Sequence, residues 1–443
     1  MQRTLDLLRR EPRARVFFAA LTQSALGTGA AYVALLLVAY ERFRSPWAIS
    51  IVLIADLVPA MALGPVFGAV ADRWSRRACA ITADVIRAAA FAGLLAVDSF
   101  EATVALALLA GTGTGLFTPA TLAALPSLVQ RGRLPSATSL YGAITDLGLA
   151  AGPAIAALAL LFGGPEVILL ANAITFAISA VVLARIDFGR APSPAADADG
   201  GLTRSLLREA RAAFPAIRRV SGLWAVLSAS GAALFFGGLV NVAELPFITG
   251  DLSASEAVYS GAVALAGAGI VIGSLRGGIG GSFGTLRRNY IFGLLVMGLG
   301  FTLSGLAPGY EVIFATFALA GFGNGLMLVH ERLIIQATVE DRMSARVFGT
   351  KDALTAWAFA LSFLVAGALV SAFDPRPVII AAGAGIVAIA TFAAVGVRLV
   401  APALPGVRAS DGELRLRDGS VGKHGPHPVG GGDHWLTLLD DLR

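Results

Sequence analysis

Ionisable side chains inside long apolar stretches are the residues of this sequence that could do chemistry. Asp146 stands in the apolar run 136–162, without a basic residue three or four positions away, and Asp56 stands in the run 47–71. An ionised side chain at the centre of a bilayer costs about 2.5–3.5 kcal/mol on insertion scales, so it requires a partner, water or a function. A carboxyl group in apolar surroundings also binds a proton more readily than one in water. Asp146 is therefore predicted to load and unload a proton, and Asp56 is a second candidate. The structural alternative for Asp146 is a carboxyl satisfied by a distant arginine or a hydroxyl.

Glu244 is a third candidate, in the run 221–247. It follows Asn241 by three residues, so the two side chains can share one helix face toward a central cavity. This spacing predicts contact with a substrate or a proton. The alternative is an interfacial carboxylate that simply reaches water.

Three consecutive polar residues, His330, Glu331 and Arg332, interrupt the run 312–337. Neighbouring positions on a helix point about 100° apart, so the three cannot all face one cavity. His330 or Glu331 could carry protons, because histidine titrates near neutrality. Arg332 could neutralise Asp146 or Glu331, and a purely structural ion network is the alternative.

The spacing of Asp84 and Arg87 predicts a structural ion pair, because residues three apart on a helix are neighbours. No nucleophile–base pair, HExxH motif or phosphate-binding loop occurs in the chain. One cysteine cannot build a cysteine metal cluster. We therefore expect neither an enzyme nor a cofactor or metal site.

The elements that carry these residues follow from composition. Of the 443 residues, 56% are hydrophobic and only 14% are charged, against about 25% charged in soluble domains. A transmembrane helix needs roughly 20 apolar residues. Twelve such runs are predicted: 16–40, 47–71, 78–97, 102–126, 136–162, 166–185, 221–247, 257–279, 289–308, 312–337, 347–373 and 377–399. The fold class is thus an all-α membrane protein of twelve helices.

Basic residues follow the positive-inside pattern along the chain. Nearly all of them fall at alternate connections if both termini are cytoplasmic, and only Arg42, Arg44 and Arg376 fall on the opposite side. This pattern predicts a multi-pass protein of the cell membrane, in contact with the bilayer. The net charge of +5 arises between apolar runs, so no nucleic-acid partner is expected.

An internal repeat divides the chain into two halves. AGTGTGL at 110–116 and AGFGNGL at 320–326 both lie in the fourth predicted helix of six. We predict an N-terminal six-helix bundle at 1–187, a linker with an interfacial helix at 188–220, a second bundle at 221–399 and a flexible tail at 400–443. Parallel repeats of this kind place a substrate near the midplane, between the halves.

The loop after the second predicted helix carries a family motif. GAVADRWSRR at 68–77 matches G-x-x-x-D-R-x-x-R-R at every specified position, and the chain thereby resembles the major facilitator superfamily over about residues 10–400. The resemblance implies two pseudo-symmetric six-helix bundles. It also implies a cytoplasmic latch that sets the balance between inward-facing and outward-facing states, formed by Gly68, Asp72, Arg73, Arg76 and Arg77.

The fifth predicted helix adds a partial resemblance to the drug:proton antiporters. GLAAGPAIAA at 148–157 keeps Gly148, Gly152 and Pro153 of their glycine- and proline-rich stretch, with alanines in place of its last two glycines. LPSATSL at 134–140 and RVFG at 346–349 are similar to the subgroup that includes macrolide-efflux proteins and the enterobactin exporter. The proline predicts a helix kink, and ordinary packing is the alternative.

The combined prediction is a monomeric secondary transporter that exports a hydrophobic or amphipathic small molecule in exchange for protons. A dedicated siderophore or metabolite exporter, an importer, and a transporter-like sensor or scaffold that moves no substrate are the alternatives.

Overall fold

The computed structural model describes residues 2–62, 67, 70, 74–188, 222–277, 282–339, 341–397, 407–410 and 413–416. The chain divides into two compact units, Met1–Pro402 and Ala403–Arg443. Among the described residues of the first unit, a short helix α1 (Gln2–Arg10) precedes twelve longer helices. These are α2 (Pro12–Phe43), α3 (Pro46–Ala62), α4 (Arg76–Gly93), α5 (Phe100–Leu128), α6 (Leu134–Ala159), α7 (Pro165–Leu183), α8 (Leu223–Pro246), α9 (Glu256–Gly277), α10 (Phe283–Gly305), α11 (Tyr310–Thr338), α12 (Asp341–Ala372) and α13 (Pro375–Gly396).

Each of the twelve predicted spans coincides with one of the helices α2–α13. Within the described residues, nine helices are long and apolar enough to cross a membrane. The other three fall short for visible reasons. Helix α3 is described over 17 residues, α4 contains four charged residues, and α10 carries Arg287 and Arg288 in its second turn. All three pack among the other helices, so the twelve-helix prediction of fold class is confirmed.

The packing of the helices is pseudo-symmetric. In the first half, α2 packs on α6 and α7, α3 on α5, and α4 on α5 and α7. The second half repeats each pair, with α8 on α12 and α13, α9 on α11, and α10 on α11 and α13. The halves meet through α6 with α9 and through α3 with α12, which are equivalent pairs. The predicted repeat is therefore present in three dimensions.

The repeated glycines perform the same packing in both halves. A Cβ atom at Gly111 would overlap the backbone of α3, and one at Gly321 would overlap the backbone of α9. Two residues further, Gly113 faces α4 and Gly323 faces α10 in the same way. Small residues allow membrane helices to approach this closely. The shared motif thus fixes the fourth helix of each half against its two neighbours.

The bundle has two distinct ends, which we name from α2. The near end is the end where α2 begins at Pro12, and the far end is the end where α2 finishes at Phe43. At the far end one apolar cluster includes residues of both halves, such as Leu36 and Val240. At the near end the clusters of described residues are separate. One belongs to the first half, and two belong to the second. Among the described residues, a shared apolar cluster therefore joins the two halves at the far end, and no such cluster joins them at the near end.

Some predicted segments lie outside the described residues, among them most of the linker 188–220 and its interfacial helix. In the second compact unit, which was expected to be a flexible tail, β1 (Val407–Ser410) pairs antiparallel with β2 (Glu413–Leu416). The sequence analysis did not predict this hairpin.

Candidate functional site

A cavity of about 290 Å³ lies within the first half. Helices α2–α7 all contribute to its wall, which is mostly aliphatic and aromatic. Its ionisable lining residues are Tyr32, Asp56, Arg87, Tyr141 and Asp146. An apolar wall with a few converging polar groups is the usual form of a small-molecule site.

The guanidinium of Arg87 is held by three groups. It donates a hydrogen bond to Oδ1 of Asp84, and both residues of this ion pair are buried. Its central carbon lies 4.1 Å from the ring centroid of Phe117 and 4.2 Å from that of Phe176. Phe117 is on α5 and Phe176 is on α7, so the cation is sandwiched between two aromatic rings. The positive charge on this wall is therefore already paired.

Two further carboxyl groups line the same cavity. Asp56 on α3 is half-buried and close enough to Arg87 for their charges to interact. Asp146 on α6 is exposed on the wall, next to Thr145 and one turn from Tyr141. The expectation that Asp146 is a buried carboxyl is wrong, because α6 turns this face toward the open cavity rather than into packed protein. It remains isolated from basic neighbours on its own helix.

The phenol of Tyr141 is a cavity residue that the sequence analysis did not identify. Its hydroxyl lies 2.9 Å from Oγ1 of Thr121 on α5, and both residues are buried. The four-residue spacing of Tyr141 and Thr145 was the signal that could have placed a polar stripe on this helix face.

A second cavity, of about 510 Å³, lies at the far end between the two halves. Its wall includes Glu41 and Arg44 from the first half and Glu256 from the second. Leu35 lines the cavity of the first half and Leu37 lines this far-end cavity, and both leucines belong to the shared apolar cluster. The cluster therefore stands between the two cavities.

Glu244 lies in the far-end contact and does not line the cavity of the first half. Its side chain is buried, and Oε1 accepts a hydrogen bond of 3.1 Å from the hydroxyl of Tyr259. Asn241, one turn earlier on α8, is half-buried. Neither residue lines the cavity of the first half, although the carboxyl of Glu244 is close enough to Tyr32, which does line it, for their charges to interact.

His330 and Glu331 lie in the near half of the second bundle. Nδ1 of His330 is 2.7 Å from the carbonyl of Leu326, so Nδ1 carries the hydrogen and donates it. Nε2 is 3.1 Å from Nδ2 of Asn289. The carboxyl of Glu331 is fully buried, 3.7 Å from Nζ of Lys351, whereas Arg332 is exposed. The three residues therefore point to different surroundings, as their helix positions predicted.

Residues 16–278 match the family model of the Major Facilitator Superfamily. This match covers more than half of the chain. The chain belongs to this superfamily.

Superfamily members with similar sequences include efflux proteins. The chain is 24% identical to Macrolide efflux protein A of Streptococcus pyogenes over 73% of its length and 81% of that protein. It is 27% identical to Multidrug efflux pump Tap of Mycolicibacterium fortuitum over 82% and 90% of the two chains. The fold resembles a bacterial homologue of the human lysosomal transporter Spinster in an inward-facing, unoccupied conformation. The TM-score is 0.67 at 15% identity, over 88% of this chain and 98% of that one.

The superfamily motif after α3 lies partly outside the described residues, which exclude Gly68, Asp72 and Arg73. Arg76 and Arg77 form the first turn of α4 and are half-buried. The guanidinium of Arg77 donates a hydrogen bond to the carbonyl of Ala184, just after α7. In the described part of the motif, Arg77 thus joins the near ends of α4 and α7.

The glycine- and proline-rich stretch of this superfamily member lies where α6 crosses α2. Cβ atoms at Gly148 and Gly152 would overlap the α2 backbone at Ala25 and Gly29. Pro153 lies inside α6, and the helix continues to Ala159. The glycines allow this crossing, which is the packing alternative to a kink.

The Gly152→Ala substitution is expected to destabilise the protein, because its methyl group would have to displace the α2 backbone at Gly29. Overpacking of this kind costs about 1–3 kcal/mol. Gly142→Ala on the same helix is the matched control, since a Cβ there meets nothing within 4 Å. Thermal unfolding of the purified proteins should show a lower midpoint for Gly152→Ala alone. Equal midpoints would contradict the close crossing.

Proposed function

We propose that this superfamily member is a proton-coupled exporter of a hydrophobic or amphipathic small molecule. The observation that carries the proposal is the cavity of the first half. It combines an apolar wall with the carboxyl groups of Asp56 and Asp146, while its arginine is already paired with a third carboxyl group, that of Asp84. The names of the efflux proteins that resemble most of the chain support the direction of transport. The chain would move its substrate without changing it chemically.

Alternating access is the proposed mechanism, with the substrate entering from the near end. The shared apolar cluster closes the far end, while the described near-end clusters of the two halves are separate. Rocking of one half against the other would break the far-end cluster and join the near ends. The cavity would then open toward the far side of the membrane.

Coupling is proposed to occur at Asp56 and Asp146. The charge of Arg87 is matched by Asp84, so an ionised Asp56 adds an unmatched negative charge to a largely apolar wall. Moving an uncompensated charge through the membrane interior is costly. A proton on this carboxyl, or a substrate that covers it, removes that cost and allows the halves to rock. Protons and substrate would therefore move in exchange.

The near end is proposed to face the cytoplasm, because the near-end connections carry almost all of the basic residues. Both termini then lie in the cytoplasm, and the chain acts as a monomer in the cell membrane. A dedicated metabolite exporter is the second candidate. It is favoured by a 32% identical match over 154 residues to the Putative bacilysin exporter BacE of Bacillus subtilis, although that match covers only 34% of this chain.

The Asp56→Asn and Asp146→Asn variants test the coupling. Everted vesicles with an acidic interior should accumulate ethidium or a macrolide through the unmodified protein. Asp56→Asn should reduce the uphill accumulation ratio to near one, while downhill movement of the compound persists. Asp146→Asn should have the same effect, because coupling is assigned to both carboxyls. Undiminished uphill accumulation in the double variant would contradict the assignment of coupling to this cavity.

A further inference from the structure

A groove of about 350 Å³ lies on the second half, between α9, α10 and α11. Its wall is formed by Arg276, Asn289, Phe292, Phe322 and Leu326. It shares no residue with the cavity of the first half. The transport mechanism proposed above makes no use of it.

The groove changes from polar to apolar with depth in the bundle. Arg276 is the last residue but one of α9, at the near end, and Asn289 lies two turns inside α10. Phe322 is near the middle of α11, which ends at Thr338. The backbone of Phe322 packs against Gly273, three residues before Arg276 on α9. With a rise of about 1.5 Å per residue, Phe322 therefore lies about 5 Å deeper than Arg276, nearly one helix turn. This order, with charge at the membrane surface and aromatic carbon below it, matches a phospholipid.

Large apolar side chains in and beside the groove are exposed. Ile272 and Leu275 on α9 are 59% and 71% exposed, and Phe292 on α10 is 51% exposed. Large apolar side chains on a membrane-spanning helix are exposed to acyl chains rather than to water. The exposed guanidinium of Arg276 forms no ion pair with a carboxylate of the described residues.

At the polar end of the groove, His330 holds the side chain of Asn289 in place. His330 donates through Nδ1 to the carbonyl of Leu326, so its Nε2 accepts a hydrogen bond from Asn289. A Cβ atom at Gly277 would lie 2.8 Å from Cε1 of His330, so the end of α9 packs against the same imidazole. One N–H of the Asn289 amide is thereby used, and the second N–H is available to the groove. The buried histidine thus holds the amide and the end of α9 together.

We propose that this groove binds one phospholipid with an anionic headgroup. The lipid phosphate would accept hydrogen bonds from the guanidinium of Arg276 and from the amide of Asn289, since arginine recognises phosphate with charge-assisted bonds. An acyl chain would lie along Phe292, Phe322 and Leu326. Basic pockets between helices at the membrane surface bind such headgroups by the same physics.

Native mass spectrometry of the full-length protein tests this site. Phosphatidylglycerol, added to the detergent-purified protein, should give a one-lipid adduct. The Arg276→Gln variant should weaken this adduct by about tenfold, because the charge-assisted bonds are lost. Arg185→Gln is the matched control, since Arg185 is also an exposed arginine at the near end of a helix, two residues past the end of α7, but does not line the groove. Equal adducts in Arg276→Gln and the unmodified protein, or equal losses in both variants, would overturn the proposal.

A second substitution, at Asn289, tests lipid binding independently of Arg276→Gln. Asn289→Asp keeps Arg276 and places a carboxylate where the phosphate would bind, so it should lose the adduct as well. Inorganic phosphate at millimolar concentration should not displace the lipid, because it lacks the acyl chains that the deep part of the groove would hold. Displacement by inorganic phosphate, or a full adduct in Asn289→Asp, would contradict the phospholipid site. The assay contains no transport step, so its outcome is separate from that of the proposed export.

Discussion

A disulfide between Ser50→Cys on α3 and Gly367→Cys on α12 is expected to stop transport. A Cβ atom at Gly367 would lie 2.7 Å from Oγ of Ser50, across the contact between the two halves at the far end. A cross-link there fits the short separation that a disulfide requires. Alternating access requires this contact to open in every cycle. Oxidation should therefore reduce turnover at least about twentyfold, because rocking of the halves would be blocked.

The controls for the cross-link are direct. Cys79, which is the one cysteine of the chain and is buried, should first be replaced by Ala. Each single cysteine variant should keep its activity under oxidation, and reductant should restore turnover in the double variant. Full turnover by protein that is demonstrably cross-linked would show that the far end need not open.

The Arg87→Leu substitution is expected to have the second large effect. It would leave Asp84 buried without its partner, and removing one partner of a buried ion pair costs about 3–5 kcal/mol. Arg87→Lys keeps the charge but loses the flat guanidinium that Phe117 and Phe176 enclose. That variant should be intermediate, since a desolvated cation–π contact contributes about 2 kcal/mol. Thermal unfolding of the purified variants measures both effects.

A double variant measures how much of the lost stability comes from the interaction between Asp84 and Arg87. Asp84→Leu combined with Arg87→Leu removes both buried charges together, so it should be more stable than Arg87→Leu alone. Additive destabilisation by the two substitutions would indicate that Asp84 and Arg87 do not depend on each other.

Local sequence features were sufficient for the fold. Hydropathy located the twelve long helices of the described residues, because a transmembrane helix must be apolar along its own length whatever its neighbours are. The glycine motif located the repeat, since Gly111 and Gly321 make the same close approach in the two halves. The short hairpin in the tail escaped this reasoning, because eight polar and apolar residues carry no span-length signal.

The candidate site was predictable only in part. The spacing of Asp84 and Arg87 indicated their pairing, because both lie on one helix. The aromatic rings around Arg87 come from α5 and α7, and the phenol that contacts Glu244 comes from α9. Such contacts depend on how helices pack against each other. The spacing of residues within one helix does not predict that packing. The same limit applies to Asp146, whose exposure is set by the cavity that five other helices form with α6.

Proton release is the most direct test of the proposed exporter. Everted vesicles containing the protein should be energised to an acidic interior, and luminal pH should be recorded as ethidium or a macrolide is added outside. Proton-coupled export predicts that the lumen becomes less acidic on addition, and that the Asp56→Asn, Asp146→Asn double variant loses this response. Uphill uptake of the compound without any proton movement would contradict proton coupling.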